Sequence, residues 1–462
     1  MTSLPERTAQ LRTVSHDLPV SPALDAYMGE RWAPSPLPPE VRVPGFEHFA
    51  GRRARLAALF PGEQLVVPAG ELQVRSNDCD YRFRPYSAYV WLTGLTTEDQ
   101  PGHALVIQPD GEAVLYVRPR SPRADGRGEF YRDRRYGEFW VGRRPDLDEA
   151  EHLTGVRCAH LDGLKAGPRA RVAGVDPELT SALAELRLVK DAWEVGEIQR
   201  AVDHTVAGFE DVVRSLPTAL AHPRGERWIE GVFNLRARAD GNGTGYDTIA
   251  ASGAHACVLH WIRNDGALNR DELLLLDAGV EVDSLYTSDI TRTFPLFGRF
   301  SPVQRQVYEL VLAAQNAGIA ALKPGAGFRD FHRACSRVLA EGLHEWGVLR
   351  VPPEESLRAD SGLHRRYSLC SSGHMLGLDV HDCAHARATR YLDGVLEEGQ
   401  VLTVEPGLYL QPDDETLPVE LRGVGVRIED DVVITAEGAR VMSSALPREP
   451  DAVEEWMSSL LP

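Results

Sequence analysis

Past Arg52 the chain alternates short apolar blocks with turn residues. ARLAALF predicts a helix, LVVPAG a buried strand, and YVWLTGL a second strand. HALVIQPDG and EAVLYVRPR predict a hairpin around Asp110-Gly111, and RVAGVD predicts a later strand. Strands interleaved with helical stretches across residues 46–178 read as an α/β domain. Residues 1–45, rich in Pro and polar side chains, carry one short helical pattern near SPALDAYMGERW and read as an extended arm. LTSALAELRLVKDAWE reads as the linker to a second domain, residues 186–462.

That domain opens on a helix capped by Asp191, with Val195, Ile198, Val202, Val206, Phe209 and Val213 recurring at spacings of three and four. A second helix starts at Ser301-Pro302 and stops at the Pro-Gly of LKPGAG; a third, FRDFHRACSRVLAEGLHEWG, closes on Gly347. Between and after them lie the expected strands ELLLLDAG, SDITRTFPLF, QVLTVEPGLYL and GVRIEDDVVIT.

Length and charge narrow the class. A chain of 462 residues exceeds one ordinary core, which fits two domains. A formal net charge of -18 argues against nucleic acid as the main partner, since acidic residues interrupt or flank every Arg-rich stretch. No apolar run is long enough to span a bilayer, and the N-terminal MTSLPERTAQLRTVSHDLP lacks the apolar core of a secretory signal, so cytoplasmic residence is expected. Six scattered cysteines without CxxC spacing read as free thiols.

Five donor side chains then stand out in the C-terminal half: Asp277, Asp289, His374, Glu405 and Glu429. Each sits in apolar sequence, where four carboxylates would repel one another and lose hydration unless cations joined them. Two divalent ions bridged by carboxylates would resolve that conflict, activate a water and polarise a carbonyl. A hairpin from LLLLD to SDITRTF would bring Asp277 and Asp289 onto one face; taken singly, either could equally cap a turn.

LLLLDAGVEVDSLYTSDITRTFP, GHMLGLDVHD, VLTVEPGLYL and GVRIEDDVVI resemble, in order, the signature segments of the pita-bread metallopeptidases, in the branch holding Xaa-Pro aminopeptidase and prolidase. The resemblance is sharp from about Leu186 onward, and SAYVWLTGL extends it upstream. It implies a creatinase-like α/β N-terminal domain and an α+β pita-bread catalytic domain. It also implies that Asp277 binds one metal, His374 and Glu405 the other, and that Asp289 and Glu429 bridge the two. Manganese is the family's usual ion in this branch, with zinc or cobalt as alternatives. Glu405 doubles as proton acceptor in the family mechanism, while His381 and His260 match histidines that face the substrate and its scissile carbonyl. Arg427, two residues before Glu429 and expected on the same strand, would face substrate or hold a carboxylate, with a plain ion pair on the strand face as the equal alternative.

Two departures bear on specificity. Cys370 stands where Xaa-Pro-cleaving members carry a substrate-binding histidine, and Trp91 is displaced by one position from an aromatic wall residue. The activity the resemblance implies is removal of an N-terminal residue preceding proline from peptides. Prolidase or carboxyl-end cleavage on the same scaffold stands as an alternative, as does a non-catalytic peptide-binding relative. The resemblance also implies a homo-oligomer, dimer or tetramer.

Overall fold

Ser21 accepts a hydrogen bond from Leu24 N at 3.1 Å, and Pro22 fills the first turn of a short helix, Pro22–Met28, in the segment where the sequence shows its one early helical pattern. The structure, a computed structural model, describes residues 18–38, 40–98, 100–123 and 128–461; residues 1–17 of the expected arm lie outside the described residues. The chain divides into two compact units, Met1–Thr180 and Ser181–Pro462.

In the first unit, strands Arg157–His160, Ala113–Val117, Ala104–Ile107, Leu65–Pro68 and Arg171–Val172 form one mixed sheet in that order. The expected hairpin is present: Ala104–Ile107 pairs antiparallel with Ala113–Val117, and Gly111 takes the left-handed conformation, φ 87°, that the tight turn needs. YVWLTGL, however, is not a strand. It lies in the helix Ser87–Thr93, ended by Gly94 at φ 70°, whose N–H bonds Val90 O at 2.8 Å. Every residue of this helix is buried, so the apolar run has no polar face to reveal its period. Trp91, 1% exposed, lies under the Arg52 guanidinium, 5.3 Å from the ring centroid, and is a core residue of its unit rather than an open wall.

The second unit begins in a helix where a linker was expected: Pro177–Arg187 runs almost directly into Ala192–Ala221. Asp191 and Glu194 form a reciprocal capping box that starts the longer helix. Ala192–Ala221 packs on Gly225–Asp240, and Pro302–Ala321 packs on Phe328–Glu345. Gly225–Asp240 and the final helix Pro450–Leu460 have no counterpart in the sequence reading. Gly208 lets Phe233 approach the long helix, since a Cβ there would meet the ring at 2.7 Å.

These helices back short antiparallel ladders. One sheet joins Ile249–Ser252, Leu273–Ala278 and Ile290–Pro295; another joins Val401–Val404, Asp430–Thr435 and Gly438–Val441. A two-stranded ladder, Gly407–Leu410 with Val424–Arg427, is inserted between the first two strands of the second sheet in sequence. QVLTVEPGLYL and GVRIEDDVVIT, expected as single strands, therefore each break in two, at Glu405-Pro406 and at Ile428-Glu429. Arg427 and Glu429 are not on one strand, contrary to expectation.

Candidate metal centre

Strand ends place the donors. Asp277 pairs with Thr291 in the Leu273–Ala278 and Ile290–Pro295 ladder, so Asp289, two residues from Thr291, falls on the same face as Asp277. The ladder of Val404 with Asp430, continued by one position, sets Glu405 opposite Glu429 where both strands break. Glu429 N bonds Thr291 O at 3.0 Å and stitches the two hairpins together. His374 arrives on a segment that borders the Val401–Val404 strand: Thr403 N bonds His374 O at 2.8 Å, and His374 N bonds Thr403 Oγ1 at 3.1 Å.

All five expected ligands line one cavity of about 490 Å³, together with His260, His381, Cys370 and Arg427. Donor atoms of Asp289, His374 and Glu429 lie within 4.8 Å of one another. His374 Nε2 stands 3.3 Å from Asp289 Oδ2 and 3.4 Å from Glu405 Oε1. Its Nδ1 lies 3.1 Å from Met375 O, which fixes the proton there and leaves Nε2 free as a ligand atom. Asp277 joins the group through Tyr246, whose hydroxyl lies 2.7 Å from Asp277 Oδ1 and 2.5 Å from Asp289 Oδ1.

The electrostatics suit cations. Burial and neighbouring carboxylates push Asp277 and Glu429 up, and burial pushes Glu405 up to about 7. Burial alone would lower the His374 imidazole, but Asp289 and Glu405 hold it up at about 9. Glu429 Oε1 is buried without a hydrogen-bond partner, while Thr291 Oγ1 donates to its Oε2 at 2.7 Å. An orphaned carboxylate oxygen aimed at converging oxygen and imidazole donors is what a hard or borderline divalent ion satisfies, so the residues fit such a group.

The other expected residues divide. His381 stands beside His374, ring centroids 4.4 Å apart and nearly perpendicular, and burial lowers its imidazole. His260 and Cys370 are exposed on the cavity wall. Burial raises the Cys370 thiol, which keeps it neutral. Arg427 is 4% exposed and directs its fork at protein groups: Nη2 to Asp277 Oδ2 at 2.5 Å, Nη1 to Tyr409 OH at 2.9 Å, Nε to Thr291 Oγ1 at 3.1 Å. That arrangement favours holding a carboxylate over meeting substrate.

Sequence reasoning missed Tyr246, Thr291, Thr403 and Tyr409. Thr291 was recoverable from the hairpin register, being two residues from Asp289. Tyr246, in GTGYDTIA, carries no periodic signal.

Fold and donor set define a metal-dependent hydrolase with a separate N-terminal domain. Residues 196–436 match the model of metallopeptidase family M24, and residues 49–167 match that of the aminopeptidase P N-terminal domain. The chain belongs to metallopeptidase family M24. It is 50% identical over 466 aligned positions to Xaa-Pro aminopeptidase 1 of Streptomyces coelicolor, covering 96% of this chain and 93% of the relative. Among solved structures it is similar to aminopeptidase PepP of Pseudomonas aeruginosa, at 30% identity and a TM-score of 0.77, covering 91% of this chain and 99% of that one. Aminopeptidase P from E. coli with the inhibitor Pro-Leu is similar at 28% identity and a TM-score of 0.77, covering 90% and 99%.

Proposed function

We propose that this protein is a Xaa-Pro aminopeptidase that works with two divalent ions, removing the residue that precedes proline at a peptide's N-terminus. The observation that carries the reading is the convergence of Asp277, Asp289, His374, Glu405 and Glu429 on one cavity that also holds His260 and His381. Similarity over nearly the full length to a named Xaa-Pro aminopeptidase supports the substrate class.

Asp277 would hold one ion, His374 and Glu405 the other, with Asp289 and Glu429 shared; manganese suits this oxygen-rich set, as do zinc and cobalt. Bound ions would supply an acidified water and an electrophile for the scissile carbonyl. The chain's own groups do the rest. Thr291 orients Glu429, Arg427 orients Asp277, and the Met375 carbonyl fixes the His374 tautomer. Glu405 takes the proton from the attacking water, and His381 and His260 reach the peptide from the open wall.

The reading extends to setting. None of the six cysteines is in a disulfide, which accords with a reducing cytoplasm, and among the described residues no helix is long and apolar enough to cross a membrane. A homo-oligomer accords with the family.

Incubating the manganese-loaded protein with Ala-Pro-Ala, Ala-Ala-Ala and the dipeptide Ala-Pro, and identifying products by mass, tests the proposal. Release of alanine and Pro-Ala from the first, with little cleavage of the second, is expected. Release of Ala-Pro would reverse the polarity, and cleavage confined to the dipeptide would make the protein a prolidase. Glu405→Gln serves as the inactive control.

A further inference from the structure

Glu226 sits in the first turn of the helix Gly225–Asp240 and is fully buried. Four donors meet its two oxygens. Ser252 N and His255 Nδ1 lie 2.9 and 2.7 Å from Oε1; Trp261 Nε1 and Gly266 N lie 2.9 and 2.7 Å from Oε2. All four belong to Ser252–Gly266, and Glu226 N in turn bonds Gly266 O at 3.1 Å.

Within that segment the His255 ring stacks on Trp261, centroids 3.8 Å apart, so the two side-chain donors brace each other. Asn264, buried at φ 47°, adds a second fastening: its side chain accepts from Ala250 N at 2.9 Å and donates to Thr248 O at 2.8 Å. The part held between these fastenings contains Leu259, His260 and Ile262, which face the cavity. A buried carboxylate is stable only with its acceptor capacity filled, and here the filling groups are spread along one loop. The carboxylate thus fixes the path of the loop as well as its own burial.

We propose that Glu226 is a positioning residue for the peptidase reaction, acting through the Ser252–Gly266 loop to place His260 against the substrate. This rests on the reading of His260 as a substrate-facing group. Glu226→Gln keeps the volume but replaces an acceptor oxygen with an amide N–H that opposes two of the four donors. Gly266→Ala reaches the same contact without removing a polar atom, because its Cβ would meet Glu226 Oε2 at 2.7 Å and His255 Cε1 at 2.8 Å.

The test is a double-mutant cycle on kcat and KM for Ala-Pro-Ala with manganese-loaded wild type, Glu226→Gln, His260→Ala and the double variant, matched for bound metal. Each single variant is expected to lose about 100-fold in kcat/KM, the scale of misplacing a positioned group by about 1 Å. Glu226→Gln should divide its loss between kcat and KM as His260→Ala does, and the double variant should fall no lower than His260→Ala. Gly266→Ala should move in the same direction, and it replaces Glu226→Gln in the cycle if that variant does not fold. Losses that multiply in the double variant, or wild-type kinetics in Glu226→Gln, would overturn the positioning role while leaving His260 in place. Wild-type kinetics in His260→Ala would instead overturn the reading of His260, and the proposal with it.

Discussion

Arg427 Nη2 donates to Asp277 Oδ2 at 2.5 Å, and both side chains are buried at the wall of the cavity. The same carboxylate meets Tyr246 through Oδ1, so both of its oxygens are oriented by neighbours before any ion arrives. Burial would lower the Arg427 guanidinium, but Tyr409, Asp277 and the nearby glutamates hold it well above its ordinary value, so it stays charged.

Arg427→Lys is therefore expected to fail as a conservative change. An ammonium cannot reach Asp277, Thr291 and Tyr409 together in the geometry of a planar fork. Metal affinity measured by calorimetric titration should fall about 10–100-fold, the usual cost of losing a group that orients a ligand, with kcat falling alongside. Unchanged affinity would show that Asp277 does not depend on this contact.

A second buried ion cluster sets acid stability. Asp382, beside His381, pairs with Arg187 and with Lys190 Nζ at 3.0 Å, and all three are buried. Burial alone would raise the Asp382 carboxyl, but Arg187 and Lys190 hold it at about 2, below its ordinary 3.8. A depressed folded value stabilises fully above the unfolded one and loses that contribution as pH falls from about 3.8 towards 2. Arg187 keeps Asp379 Oδ2 at 2.8 Å, but Asp382→Asn leaves the buried Lys190 ammonium without a carboxylate and should destabilise by roughly 3 kcal/mol near neutrality. The gap between wild type and variant in urea melts should shrink on acidification through that window. A gap independent of pH would mean that the pair contributes no linkage.

Much of this architecture was legible because local signals agreed with it. Asp191 with Glu194, Ser301 with Gln304, and the Asp110-Gly111 turn each mark an element boundary by their own hydrogen bonding. The donors were legible by type and by motif. The hairpin also gave the shared face of Asp277 and Asp289, but the placement of Glu405 and Glu429 was hidden, because QVLTVEPGLYL and GVRIEDDVVIT look continuous while the chain breaks at Glu405 and before Asp430 to carry the next strands into different sheets. The Ser87–Thr93 helix was hidden by burial on all sides. Gly225–Asp240 was hidden because Arg, Glu and Asp crowd its sequence and Glu226, a charged residue, faces inward. Such a residue shows its purpose only when its four partners are in place.

Cys370 is the position that the sequence reading sets apart from the Xaa-Pro-cleaving members of the family. It lies on the cavity wall, and burial keeps its thiol raised and neutral, so it offers substrate no charge-assisted bond. Cys370→Ala should change kcat/KM for Ala-Pro-Ala by no more than about tenfold, the scale of one neutral hydrogen bond. A larger loss would assign the thiol a direct part in binding the peptide.

Counting bound ions tests the account most directly. Protein loaded with manganese, passed through gel filtration and assayed by elemental analysis should carry two ions per chain. Asp289→Asn, altering a carboxylate shared between both positions, should carry one or none while keeping the wild-type circular dichroism spectrum. A wild-type stoichiometry of one or zero, unchanged by supplementation with manganese, cobalt or zinc, would contradict the two-ion centre and the mechanism built on it.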